Sequence, residues 1–172
     1  MRRLLFACLA VVLVVAGCSH GPSAQQWTTS VCGALAPWRT ALTDLNSRAA
    51  DQMAQTTTVE QTRQNLIDLV TDARDATETA RAAVVAAGVP DVDGGAEVAQ
   101  SFADSLARTR DAYAQAETDL RALSGDDEKT FYDGVVAVLD RLTTAYQQAG
   151  DSLSTLNSPK LQAAFDSAPE CQ

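Results

Sequence analysis

Beyond residue 26, apolar residues return every three to four positions along nearly the whole chain, in four blocks. The first carries Trp27, Val31, Leu35, Trp38, Leu42, Leu45, Ala49 and Met53. The second carries Leu66, Val70, Ala73, Ala80 and Val84, with Ile67 and Leu69 widening its stripe. The third carries Val98, Phe102, Leu106, Tyr113, Ala116, Leu120 and Leu123, and the fourth Phe131, Val135, Val138, Leu142, Ala145, Ala149, Leu153 and Leu156. Each has the period of an amphipathic helix, and no stretch alternates at period two for long enough to make a strand.

The breaks between blocks have helix-ending chemistry. Thr57-Thr58-Val59-Glu60 has the form of a capping box, with Thr57 as N-cap and Glu60 reaching back. Gly88-Val89-Pro90 ends the second helix, and residues 91–95 turn the chain. Ser124-Gly125-Asp126-Asp127 ends the third, and its acids sit at the positive start of the fourth. Asn157-Ser158-Pro159 ends the fourth, and residues 160–165 predict a short terminal turn packed through Leu161, Ala164 and Phe165. Pro37 lies inside the first block and predicts a kink or local break there. Four helices joined by short turns predict an all-α, up-down four-helix bundle over residues 26–172. The alanines Ala82, Ala83, Ala86 and Ala87 predict close helix approach, leaving little room for a large cavity.

The chain before residue 26 reads differently. Met1-Arg2-Arg3 is positive, and residues 4–17 form an uncharged, almost wholly apolar run of fourteen. That is shorter than the roughly 20 residues needed to span a bilayer, and it predicts a cleaved signal helix over residues 1–17. Its end, Val15-Ala16-Gly17-Cys18, resembles the lipobox of bacterial lipoproteins: an aliphatic residue, two small ones, then cysteine. The resemblance implies diacylglycerol on the Cys18 thiol and cleavage just before it. Residues 18–25 then become a lipidated tether, with the folded part on the extracytoplasmic face of the cell membrane. Two or more acyl chains hold a protein stably where one does not.

Charge narrows the partners. Lys and Arg number 13 against 22 acidic residues, a formal charge of −9. Loss of Arg2 and Arg3 with the signal leaves 11 against 22, or −11. Such a surface argues against nucleic acid and against the folded part lying flat on anionic lipid. Arginine outnumbers lysine 11 to 2, and Ala, Thr, Asp and Val abound. With the lipobox, this composition resembles the small lipoproteins of actinobacteria, including mycobacteria.

Four cysteines are present. On the lipoprotein reading, Cys8 leaves with the signal and Cys18 carries lipid, so Cys32 and Cys171 remain. An oxidising compartment makes a disulfide between them the economical expectation. It closes nearly the whole domain, which on the chain-entropy model is worth roughly 4–5 kcal/mol. Two free thiols, or a redox pair, are the alternatives, although redox pairs usually sit as C-x-x-C.

Candidate chemistry is sparse. His20, the single histidine, lies in the tether, so neither a Ser-His-Asp triad nor a His/Cys metal cluster assembles. Asp91-Val92-Asp93-Gly94-Gly95 lacks the later ligands of a calcium loop and reads as a turn. Tyr113 and Glu117 have the Y-x-x-x-E spacing of a secretion signal, and read as an ordinary i, i+4 helix pair. Trp27 and Trp38, eleven residues apart, share one helix face. They are core anchors, or one of them lines a surface groove, a binding face, with Tyr132 or Tyr146. The expected function is a lipid-anchored envelope binding or scaffold module without enzymatic activity, metal or cofactor. Its partner would be an envelope protein or cell-wall component. The alternative is a carrier or sensor of a small apolar or cell-wall ligand held between helices. A hydrolase built on two carboxylates is the third reading.

Overall fold

A computed structural model describes residues 21–56, 58–154 and 158–171, with only the backbone for 152–154. The expectations for the signal helix, Cys8, Cys18 and its lipid, His20, Thr57, Leu156 and Asn157, and for the Leu153 side chain, lie outside it. Among the described residues all regular structure is helical: α1 (Ala24–Gln55), α2 (Val59–Ala86), α3 (Gly95–Ala122), α4 (Glu128–Ser154), α5 (Pro159–Ser167) and a 3₁₀ turn (Pro169–Cys171). The four long helices pack as an all-α four-helix bundle in chain order, α1 on α2, α2 on α3 and α3 on α4.

Pairs of named contacts show the antiparallel sense. Trp27 near the start of α1 meets Gly88 just past the end of α2, and Arg48 further along α1 meets Asp72 earlier in α2. Arg74 and Glu78 of α2 reach Glu117 and Arg110 of α3. Asp119 of α3 reaches Arg141 of α4. α5 and the 3₁₀ turn close back on α1. The Cys32–Cys171 disulfide, with Cα atoms 5.0 Å apart, ties α1 to the chain end across 139 residues.

Local chemistry sets the helix ends. Ser23 caps α1 in a full capping box: its hydroxyl accepts from the Gln26 N–H, and the Gln26 side chain accepts from the Ser23 N–H. The expected tether is therefore already part of the fold by residue 23, and the Pro22 carbonyl accepts from the Asp91 N–H at 2.8 Å. The N-cap of α2 is Thr58, whose hydroxyl accepts from the Gln61 N–H at 3.2 Å. The cap sits one residue later than expected because Thr58-Val59-Glu60-Gln61 offers the same pattern. Gly88 takes φ +76° after α2, where a side chain would be strained. Asp127 opens α4 by accepting from the Thr130 N–H at 2.7 Å.

The core falls into two clusters. One gathers Trp27, Val31, Val84, Val98, Leu106 and Leu161 at the end sealed by α5. The other gathers residues such as Leu45, Ile67, Val70, Leu120 and Phe131 in the opposite half. Trp27 has no exposed surface; its ring meets Phe102 and Phe165 edge-on, and its Nε1 donates to the Gly88 carbonyl at 2.9 Å. Truncating so buried an aromatic side chain typically costs about 3–5 kcal/mol.

Three expectations take definite form, and the third is corrected. α1 runs unbroken through Pro37. The proline withholds one N–H from the Gly33 carbonyl, and both residues stand exposed. The predicted terminal turn is a nine-residue helix with Pro159 at its start, burying Leu161 and Ala164. The alanines Ala82, Ala83 and Ala86 are exposed and Ala87 is half-buried, while Ala80 and Val84 face the core. Close approach at those alanines therefore does not fill the bundle, and a large cavity is present in the other half.

Candidate functional site

Apolar stripes orient α1 and α4 toward a common interior, yet these two helices do not pack as a close pair. α4 is held by α3, and α1 by α2 and α5. The seam between α1 and α4 stays open, and a cavity of about 520 Å³ lies behind it. Leu42 and Leu45 come from α1, Leu66, Leu69 and Val70 from α2, Tyr113, Ala116 and Leu120 from α3, and Val138, Leu139, Leu142 and Tyr146 from α4. Asn46 and Thr143 stand exposed at its rim, and Leu139 beside them is 45% exposed.

The polar atoms of the interior are largely spent on one another. The Tyr113 hydroxyl on α3 and the Tyr146 hydroxyl on α4 share a hydrogen bond, with the rings edge-to-face at 5.6 Å. Burial raises both phenols above the usual tyrosine range; their mutual bond adds to the rise at Tyr113 and opposes it at Tyr146. Neither serves as a base near neutral pH.

A smaller cavity of about 190 Å³ adjoins along the same seam, between α1, α3 and α4. Leu35, Trp38, Phe102, Leu106, Ala149 and Gly150 line it, and Tyr146 belongs to both linings. Its polar neighbours are again satisfied. Trp38 Nε1 donates to the Thr77 hydroxyl at 3.0 Å, the Ser105 hydroxyl to the Ala149 carbonyl, and the Thr109 hydroxyl to the Ser105 carbonyl.

The structure separates the four aromatics of the anticipated binding face. Trp38 and Tyr146 meet at the smaller cavity. Trp27 is sealed in the core, and Tyr132 is 41% exposed on α4, its hydroxyl 3.4 Å from that of Thr62. Tyr113 is part of the site and is not paired with Glu117, which binds Arg74 and Arg121 instead. Helical spacing places Tyr113 and Glu117 on adjacent turns but does not reveal which neighbouring helix each one meets. Leu42, Leu66, Leu69 and Leu142 carry no sequence signal separating them from filled-core leucines.

Charged groups lie outside the cavity. Glu78 accepts two bonds from Arg81, at 2.7 and 2.8 Å, and one from Arg110 at 2.9 Å. Those bonds, Arg81's first, push its carboxyl down to about 2. Glu117 is lowered chiefly by Arg121, and Asp119 by Gln115 and then Arg141. Carboxylates held ionised in this way form structural pairs between helices. No group of three His, Cys, Asp or Glu side chains among the described residues is placed to hold a metal ion. Among the same residues, no helix is long and apolar enough to cross a membrane.

No protein-family model matches the chain, and neither a curated protein nor a solved structure is significantly similar to it.

Proposed function

We propose that the protein is a lipid-anchored envelope protein that carries or senses a small apolar ligand in the seam between α1 and α4. The observation that carries this reading is the cavity of about 520 Å³, walled mainly by leucine, valine, alanine and tyrosine. Its volume falls in the range of ligand pockets, about 300–1,000 Å³. Side-chain packing ordinarily removes such space, because interiors fill to crystal-like density. An apolar occupant would gain its free energy from leaving water, without needing a charged partner inside.

The anchor part of the proposal rests on Val15-Ala16-Gly17-Cys18 and the short apolar run before it. Lipid on Cys18 would hold the start of α1 near the bilayer. The end of α2, with Val85 and Val89 about half exposed, lies at the same end of the bundle. Cys18→Ala tests this part: the variant should leave the membrane fraction or remain unprocessed. Unchanged processing and membrane attachment would contradict it.

A scaffold role for an envelope protein or cell-wall component is the second reading. Tyr132, Val136 and Leu139 favour it, forming an exposed apolar row on α4 at helical spacing.

The carrier reading is tested with Nile red, whose emission shifts to the blue in apolar surroundings. Titration of the purified full-length protein should give a saturable one-to-one complex with blue-shifted emission. Absence of saturable binding would contradict the carrier reading.

A further inference from the structure

We propose that the two cavities form one slot, and that it takes a single unbranched alkyl or acyl chain bearing an uncharged polar head. This rests on the apolar-ligand reading above and names its ligand class.

Shape is the first support. The cavities follow one another along one seam, with the Tyr146 side chain between them and lining both. Their lining on α1 runs from Leu35 to Asn46, and on α4 from Val138 to Gly150. At about 1.5 Å per helical residue, each run spans roughly 16–18 Å. A space that long in the gap between two helices suits a linear chain better than a fused-ring body.

Polarity is the second. Within the slot, the hydroxyls of Ser105, Thr109, Tyr113 and Tyr146 are engaged with protein partners. A ligand lying there meets mostly carbon, with one O–H proton left over by the Tyr113–Tyr146 bond. At the rim, Asn46 offers an amide that can donate to an ester, and the Thr143 hydroxyl, which donates to the Leu139 carbonyl at 2.9 Å, can accept from a hydroxyl, from opposite sides of the seam. No lysine or arginine lines either cavity, and the chain carries a formal −9. A carboxylate or phosphate head would find no counter-charge there, whereas an ester or hydroxyl head would find hydrogen-bond partners.

Each methylene that fits should therefore add roughly fourfold in affinity until the slot is full. Gly150 provides a way to shorten it, because a Cβ placed there meets nothing within 4 Å and so leaves the fold intact. Gly150 is an exposed part of the smaller cavity's wall and Thr143 of the larger one's rim, so Gly150→Leu and Thr143→Trp each add bulk at one end of the slot.

The experiment titrates the full-length protein with the glycerol monoesters of octanoate, dodecanoate and hexadecanoate, and with the free acids of the same lengths. Affinity should rise with length, and each monoester should bind at least tenfold tighter than its acid. Gly150→Leu should weaken the hexadecanoate ester at least tenfold more than the octanoate ester, while Thr143→Trp should weaken all lengths alike. An equal effect of Gly150→Leu on every length would overturn the slot, and acids binding as tightly as esters would overturn the head assignment. Saturable Nile red binding without binding of any ester would overturn this inference and leave the carrier reading standing. Failure of Nile red as well would overturn both.

Discussion

Tyr113 of α3 and Tyr146 of α4 join hydroxyl to hydroxyl at the floor of the open seam, where α1 would otherwise close the bundle. One phenol donates to the other, and the accepting phenol keeps one O–H proton, so the wall they form is ring carbon with a single remaining donor. Tyr146→Phe leaves the Tyr113 hydroxyl without this partner, and the expected cost is about 1–2 kcal/mol. The double variant Tyr113→Phe/Tyr146→Phe should be less destabilised than the two single costs added together. Urea unfolding of the four proteins checks this, and additive losses would remove the coupling.

The Cys32–Cys171 bridge closes 139 residues of separation. Cys32→Ala/Cys171→Ala should lower stability by up to about 5 kcal/mol, the chain-entropy value for so long a loop. Reductant should destabilise the wild type by a similar amount and leave the variant unmoved. Guanidinium melts with and without reductant measure both.

Pro37 stands inside α1, which continues through it for the whole of Ala24–Gln55. Pro37→Ala returns an N–H to the Gly33 carbonyl and relieves the ring, an expected gain of about 1–3 kcal/mol after the looser unfolded chain is counted. A thermal melt reads it as a higher Tm. A fall in Tm would mean that the proline sets a bend the bundle needs.

Glu78 holds its proton less readily in the folded state, down to about 2 from an ordinary 4.5, because of Arg81 and then Arg110. A lowered carboxylate stabilises the fold above its unfolded value and loses that contribution as pH falls through its folded one. The window here runs from about pH 4.5 down to pH 2. Glu78 is 40% exposed, so the effect is modest and screened by salt. Glu78→Gln should lie below the wild type in stability at neutral pH and converge on it across that window. Parallel pH–stability curves would show that the triad contributes nothing.

Much of the fold is legible in the sequence. The period that picked out Trp27, Val31, Leu45, Val70, Leu120 and Phe131 picked out residues that are buried, because one apolar stripe per helix has only one place to go. Gly88 and Asp127 marked helix ends because their backbone and capping chemistry is local. The cysteine pair followed from counting. The site was less legible. A stripe fixes which face of α4 turns inward but not how far α4 stands from α1, so Leu42 and Leu142 read as filled core while they line space. Spacing linked Tyr113 to Glu117, whereas Arg74 on α2 and Tyr146 on α4 claimed them separately. Trp38 and Tyr146 were among the anticipated binding residues, and they meet at the smaller cavity, while Trp27 is fixed in the core.

The proposed binding site is the seam between α1 and α4. Ala116 is buried on the α3 wall of its cavity, where a larger apolar side chain takes up ligand space. Nile red titration of wild type and Ala116→Leu, both shown to be folded by circular dichroism, tests the claim most directly. A saturable one-to-one complex is expected in the wild type and at least a tenfold weaker one in the variant. Equal binding by both proteins would contradict it.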